Sequence, residues 1–277
     1  MNPEEFAYLK KKIRQLTNFD LDNYGHNQMI RRLDGYIARY KVHNVVQFCK
    51  ILQNDENELE KLQKFLTINV SEFFRDLTQF KILQEEILPK LLRDNLKLNV
   101  WSAGCSNGAE AYSVAILLDR LSPYREHRIL ATDIDKKIIS HAAAGGPYKA
   151  AELRNFPKKL EEKYFKNENG DFRVVDRIRK KIAFRLHDLT QDPYEDCFDL
   201  IICRNVVIYF NGQTKKILRK KFLDALKVNG VLFIGATETM LDMKDNGFQR
   251  LSACFYKKKA GVPEKYQETV LSGRGVI

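Results

Sequence analysis

The sequence predicts an α/β protein in which a Rossmann-like sheet follows an all-α domain and is interrupted by a small antiparallel β-subdomain. Three observations predict it. Up to about residue 92, apolar side chains recur at helical spacing. From Leu98 onward, short apolar runs alternate with helical patterns, as they do in βαβ units. Residues 145–181 break that alternation with Gly145, Gly146, Pro147 and Pro157, a turn-like ENGD, and then the polar, β-branched FRVVDRIRKK. The implied division is a helical domain at 1–92, an α/β domain at 93–260 with its insertion at about 145–181, and a mobile tail at 261–277.

The helical region opens with residues 6–16, where Phe6, Leu9, Ile13 and Leu16 share one face. Residues 27–40 repeat the pattern with Met29, Ile30, Leu33 and Ile37, and their polar face holds Arg31, Arg32 and Arg39. Further helices are expected at 45–52 and 56–65, with Asn44 and Asn54 as caps, and at 77–92 despite Pro89. In the α/β region, LNVWSA, RILATD, KIAFRLHDL, FDLIICRNVVIYF and GVLFIGATE are the expected strands, and SACFYKKK is the expected last one. Helices at 109–118, 136–144 and 214–226 connect them. The insertion is expected to hold a short helix and a hairpin.

Composition narrows the function classes. The 277 residues are 44% hydrophobic, and no apolar run approaches the ~20 residues that span a bilayer. The N-terminus begins acidic and amphipathic, without the order of a secretory signal. Five scattered cysteines form no CxxC pair, so neither a disulfide scaffold nor a structural metal site is expected, and a cytoplasmic location fits. A net charge of +11 favours anionic partners: nucleic acid, an acidic membrane surface or an acidic protein segment.

The chemistry concentrates at strand ends, where open α/β sheets bind ligands. In VWSAGCSNGAEAYSVAILL, a buried strand enters a small-residue loop at 104–108 and a helix follows at once. Glycine there lets the backbone approach a ligand closely, although a bare tight turn would use the same residues. Asp133 ends the next strand, a little over ~20 residues on, where a ribose-binding carboxylate belongs; its bland role, capping the helix at 136, suits Asp135 equally well. In HDL, Asp188 can meet an adenine edge while Leu189 packs on the ring. The loop is GxxxG and not GxGxxG, so a compact sulfonium nucleoside fits better than a dinucleotide.

The next strand delivers Arg204 and Asn205, with Tyr209 close behind. The Asp192-Pro193-Tyr194 triplet precedes this strand and is expected to be a surface turn, whereas methyltransferases acting on nucleic-acid amino groups carry such a motif after it. In TINVSEFFRD, residues 67–76, Asn69, Ser71 and Arg75 could line one side of a turn; alternatively Ser71 caps a helix with Glu72 in its first turn.

These segments, in this order and over nearly the whole chain to about Lys258, resemble the CheR family of chemoreceptor glutamate methyltransferases. The resemblance implies an N-terminal helical domain joined to a class I S-adenosylmethionine (SAM)-dependent methyltransferase domain with a β-subdomain insertion. It further implies SAM contacts from Asn69, Ser71 and Arg75 on the helical side and from Glu110, Asp133, Asp188, Leu189, Asn205 and Val206 on the sheet, with S-adenosylhomocysteine (SAH) as product. Where the family usually shows Gly-Glu/Gln-Glu-Pro-Tyr, this chain has Gly108-Ala109-Glu110-Ala111-Tyr112; Asp188 stands where many relatives have asparagine. In the family the β-subdomain can grip a tethering peptide at a receptor's C-terminus. The loop after Tyr164-Phe165 looks short here, which points to a member that works without the tether.

Carboxylate methylation needs no general base, because a glutamate of pKa ≈ 4.3 is already ionised. Arg75 is the expected orienting residue, with Tyr209 shaping the pocket, and Arg31, Arg32 and Arg39 are the expected docking face for the methylation helices of a receptor. A monomer is expected, with neither nucleic acid nor membrane insertion involved. The competing readings are a nucleic-acid methyltransferase, a SAM-sensing module without catalysis and, least favoured, a nicotinamide dehydrogenase.

Overall fold

Helical spacing at the N-terminus becomes four helices: α1 (Pro3–Thr17), α2 (His26–Ile37), α3 (Val45–Asn54) and α4 (Glu56–Thr67). The computed structural model describes residues 1–67, 69–238 and 247–261; the expected tail lies outside them, apart from Gly261. Asn2 and Glu5 form a capping box on α1, and Asn44 caps α3 by accepting from the Gln47 amide at 3.0 Å. Asn54 is not a cap. It is the last residue of α3, and Asp55 takes the role, accepting from the amides of Asn57 (2.9 Å) and Glu58 (3.3 Å). Phe6, Leu9, Ile13, Met29, Leu33, Phe48, Leu62 and Leu66 close a core of their own.

The next helical stretch is α5 (Leu77–Ile82), a π-helical turn (Leu83–Ile87) and α6 (Leu88–Asp94), with Pro89 tolerated in the first turn of α6. Its buried residues Phe80, Leu83, Ile87, Leu88 and Leu91 join the core under the sheet and not the core of α1–α4. Periodicity reveals an apolar stripe but not what covers it, so grouping this stretch with the helical domain misplaced its packing.

The sheet contains β1 (Asn99–Ala103), β2 (Arg128–Asp133), β6 (Ile182–Leu186), β7 (Phe198–Cys203), β8 (Leu226–Ile234), β9 (Phe248–Arg250) and β10 (Phe255–Lys258), in the order β6-β2-β1-β7-β8-β10-β9. The first five in that order run parallel, while β10 pairs antiparallel with both β8 and β9. Connections pass through α7 (Ala109–Leu121), α8 (Lys136–Ala143) and α11 (Gly212–Ala225). The chain builds outward from β1 to β2 and β6, then returns to the other side of β1 at β7. The switch point therefore lies between β1 and β7, and the cleft outside their carboxyl ends is where a ligand belongs. β9 was not foreseen, because three residues carry no period.

The insertion is a three-stranded sheet of β3 (Tyr148–Lys149), β4 (Phe165–Glu168) and β5 (Asp171–Val174) in the order β3-β5-β4, with short helices α9 (Glu161–Tyr164) and α10 (Asp176–Arg179). The expected strand ends at Val174, and Asp176 opens a helical turn that it holds by pairing with Arg179 at 3.1 Å. The hairpin closes on Asn169 and Gly170, both at positive φ. Asp192-Pro193-Tyr194 is a turn before β7, but its tyrosine points inward, its ring 4.7 Å from Trp101.

Candidate active site

At the switch point lies a cavity of about 930 Å³, mouth included. Asn69, Ser71, Arg75, Glu110, Asp133, Asp188, Leu189, Asn205, Val206 and Tyr209, every residue expected to touch cofactor or substrate carboxylate, line it together.

The glycine loop forms its floor. Gly104 has φ +79° and packs so tightly that a Cβ would lie 2.6 Å from Val206 Cγ2, so only glycine fits. The amides of Gly104 and Cys105 both donate to the Thr132 carbonyl at 2.8 Å, which locks the loop to the end of β2. The Ser106 amide donates to Asp133 Oδ2 at 2.8 Å and the Asp135 amide to Oδ1 at 3.1 Å. Each oxygen keeps a lone pair for a ribose hydroxyl. Asp135 caps α8, accepting from Lys137 and Ile138, so Asp133 is not needed there. Burial raises the Asp133 pKa, and the two amides oppose the rise. Burial likewise raises the thiol pKa of Cys105, leaving it a protonated packing group.

Asp188 is held in its own turn. Its Oδ1 accepts from the Thr190 amide and hydroxyl, both at 2.7 Å, and Oδ2 accepts from Gln191 at 2.9 Å. Leu189 beside it is buried.

Residues 69–76 cross the opposite side without a helix. The capping alternative fails: α5 begins at Leu77, and the Ser71 carbonyl instead accepts from Asn107 Nδ2 at 3.1 Å, while Glu72 pairs with Arg154 at 2.6 Å. Long-range contacts, invisible to local spacing, shape this segment. Phe74 and Asp76, on either side of Arg75, sit at φ 53° and 62°, a left-handed conformation costing ~1–3 kcal/mol per residue. Ser113 Oγ accepts from the Phe74 amide at 3.0 Å, and Arg204 pairs with the Asp76 carboxylate; both hold the twist that turns Arg75 into the cavity. The Arg75 guanidinium donates to the Val70 carbonyl at 3.2 Å.

Arg204 itself is buried. It bridges Asp76 and Glu110 (3.4 Å) and lies over the rings of Phe80 and Phe233. Glu110 accepts from Ser102 Oγ at 2.9 Å as well. Burial raises its pKa, with Arg204 opposing.

Glu238 was missed entirely. Its buried carboxylate accepts five backbone amides: Asn205 (2.9 Å) and Gly235 (2.6 Å) at Oε2, and Val206 (2.9 Å), Val207 (2.8 Å) and Ile208 (3.3 Å) at Oε1. It thereby fixes the turn that carries Asn205, Val206 and Tyr209. The only local signal was an acidic residue four positions past the end of a buried apolar strand.

The three arginines expected to form a docking face lie outside the cavity and are not equivalent. Arg31 and Arg39 are exposed, and Arg39 lies past the end of α2. Arg32 turns inward, donating to the Phe65 carbonyl and lying over the rings of Phe65 (4.9 Å) and Tyr209 (5.9 Å). It therefore braces the cavity wall and does not belong to a uniform basic face.

The raised carboxyl pKa values give a pH signature. Folding makes Asp133 and Glu110 hold protons that the unfolded chain releases, so their contribution to stability falls as pH rises from the ordinary carboxylate values through the raised ones. A bound cation favours the ionised forms. Lowering the pH from neutrality through the raised carboxyl range should therefore weaken SAM, which carries a sulfonium charge, more than SAH, which does not. Calorimetry in two buffers of different ionisation enthalpy checks this; equal proton release for both ligands would contradict it.

The donor set fits SAM: a carboxylate with free lone pairs at Asp133, a second acidic group at Glu110, and a Ser106 hydroxyl that is buried on the cavity wall with no partner among the described residues. A Rossmann-like sheet with this site at its switch point defines a nucleoside-binding α/β protein. Comparison with known proteins makes the class specific. Residues 69–255 match the family described as "CheR methyltransferase, SAM binding domain", and residues 4–67 match "CheR methyltransferase, all-alpha domain". The chain is 37% identical over 256 residues to the chemotaxis protein methyltransferases of Listeria innocua and Listeria monocytogenes, covering 92% of this chain and 97% of each relative. It is 30% identical to that of Borreliella burgdorferi over 90% of this chain and 94% of the relative.

The chain belongs to the CheR methyltransferase family. It is a SAM-dependent chemotaxis protein methyltransferase. Among the described residues no helix is long and apolar enough to cross a membrane.

Proposed function

We propose that this protein esterifies glutamate side chains on the cytoplasmic methylation helices of chemoreceptors, with Arg75 and Tyr209 at the reacting end of the cavity. The observation that carries this reading is the convergence of Arg75, from the turn after the helical domain, with Asp133, from the end of β2, and Glu110, from the first turn of α7, on one cavity. SAM supplies an electrophilic methyl group on a sulfonium centre. The protein's part is positional. An incoming glutamate is already an anion, so no side chain need remove a proton. Arg75, steadied by the Val70 carbonyl, offers its remaining N–H groups to that carboxylate and sets its direction of approach. A fully bidentate grip would stabilise the ground state and slow transfer. Orientation of this kind can remove up to ~7–11 kcal/mol of barrier.

In this reading Asp133 holds the ribose, Asp188 and Leu189 the adenine, and Asn69, Ser71, Glu110, Asn205 and Val206 complete the cofactor site. Tyr209, braced by Arg32 and bonded through its carbonyl to the Gly25 amide at 3.0 Å, shapes the substrate entrance. The enzyme works in the cytoplasm as a monomer. The two-residue turn at Asn169-Gly170 supports a β-subdomain that does not depend on a receptor tether. The packing of residues 77–94 supports a domain boundary near residue 68.

Incubation with SAM and a receptor cytoplasmic fragment, followed by mass spectrometry, tests the proposal. Methyl groups should sit on glutamates and disappear in their glutamine variants; modification of any other residue type would reject it. Docking has its own test. Arg31→Ala with Arg39→Ala should raise the receptor KM about threefold or more at low salt, leave kcat unchanged, and lose its effect at high salt. Arg32→Ala should lower kcat as well, because it releases the Tyr209 ring. An unchanged KM in the double variant would leave those residues as solvated surface.

A further inference from the structure

One cavity wall comes from the helical domain. Residues 18–25, between α1 and α2, cross onto the α/β domain and are fastened there along their length. The Asn211 amide donates to the Asn23 carbonyl at 2.9 Å, and Asn211 Nδ2 to the Asp22 carbonyl at 2.7 Å. Asn23 Nδ2 donates to Thr190 Oγ1 at 3.2 Å, and that hydroxyl in turn donates to Asp188. Held in this way, Tyr24 is clasped between Phe19 (ring centroids 4.8 Å apart) and Phe210 (5.0 Å), and it lines the cavity. Its surroundings are acidic: burial first, then the Asp188 and Asp133 carboxylates, keep the phenol protonated. Among the described residues no hydrogen bond uses this hydroxyl. A neutral phenol between two carboxylate subsites is a donor facing the ligand space.

The chemistry of an adenine nucleoside leaves a place for such a donor. Ribose hydroxyls and the exocyclic amino group are donors, which suits them to Asp133 and Asp188. The adenine ring nitrogens are acceptors, and two carboxylates cannot serve them. We infer that Tyr24 is a cofactor-contacting residue whose hydroxyl donates to an adenine ring nitrogen of SAM while its ring covers the base edge. This rests on the assignment of the cavity to SAM through Asp133. A consequence follows for the helical domain: the segment that leads into α2 also closes the cofactor site.

The test is calorimetric titration of the full chain with SAH, using wild type, Tyr24→Phe and Asp133→Ala. Tyr24→Phe should weaken SAH roughly three- to tenfold, the worth of one hydrogen bond. The thermal midpoint of the ligand-free protein should not move, because the hydroxyl has no partner there. Of the 1-, 3- and 7-deaza analogues of SAH, one should bind wild type and Tyr24→Phe equally, identifying the nitrogen contacted. Loss of binding in Asp133→Ala with unchanged binding in Tyr24→Phe would overturn the inference and leave the cavity assignment intact. Unchanged binding in both variants would overturn the assignment and the inference with it. A fall in the ligand-free midpoint of Tyr24→Phe, with every analogue weakened alike, would also overturn it, showing a structural role.

Discussion

Arg75→Ala should lower kcat roughly 100- to 1000-fold while SAH binds within about threefold of wild type and the fold persists. The reasoning is geometric. Arg75 lies between two left-handed residues, Phe74 and Asp76, a costly backbone arrangement held by Ser113 and Arg204. Such strain near a cavity is retained where the surroundings over-determine it, and here it turns one guanidinium inward. Among the described residues the side chain bonds only the Val70 carbonyl, so its removal leaves no charge stranded in the core. Arg75→Lys should recover only part of the loss, because an ammonium cannot match the planar fork. Single-turnover kinetics with saturating SAM separate the outcomes. A normal rate in Arg75→Ala would remove it from the reacting end, and a proportional loss of SAH binding would make it a cofactor ligand.

The second large effect concerns stability. Glu238→Ala removes the acceptor of five backbone amides around one buried carboxylate. A buried amide left without a partner costs ~1–3 kcal/mol. Entering water would relieve some of them, so a net loss of roughly 3–5 kcal/mol is expected. For a chain of this size that lowers the thermal midpoint by roughly 5–9 °C. Glu238→Gln should fall between, since its amide keeps one acceptor oxygen but turns donors toward donors. Calorimetric melting of the ligand-free proteins checks both. A shift below about 2 °C in Glu238→Ala would mean that the turn at Asn205–Ile208 holds without the carboxylate.

The sequence exposed the strand ends clearly, because parallel strands are buried on both faces and appear as uninterrupted apolar runs. Asp133 and Asp188 could be placed at the cofactor cleft for that reason, and the GxxxG loop told against a dinucleotide. The order of the segments then brought in Asn69, Ser71 and Arg75, whose shared wall local spacing did not establish. What stayed hidden depends on contacts distant along the chain. Glu238 acts on backbone amides some 30 residues earlier, and backbone donors leave no mark on side-chain pattern. Arg204 was visible at the end of β7, but its partners Asp76 and Glu110 come from two other segments. Tyr24 lies between two helical patterns where no motif or period marks it. Arg32 shared a helix with Arg31, yet only the fold shows that it faces Phe65 and Tyr209 while its neighbour faces water.

The central claim is that the methyl group goes to a carboxylate, and its chemical lability tests this most directly. Receptor-containing membranes are incubated with the protein and methyl-labelled SAM, then treated with mild alkali. The account predicts that the label is released as methanol and that Arg75→Ala transfers almost none. Label that survives alkali would place the methyl group on nitrogen or carbon and contradict the account.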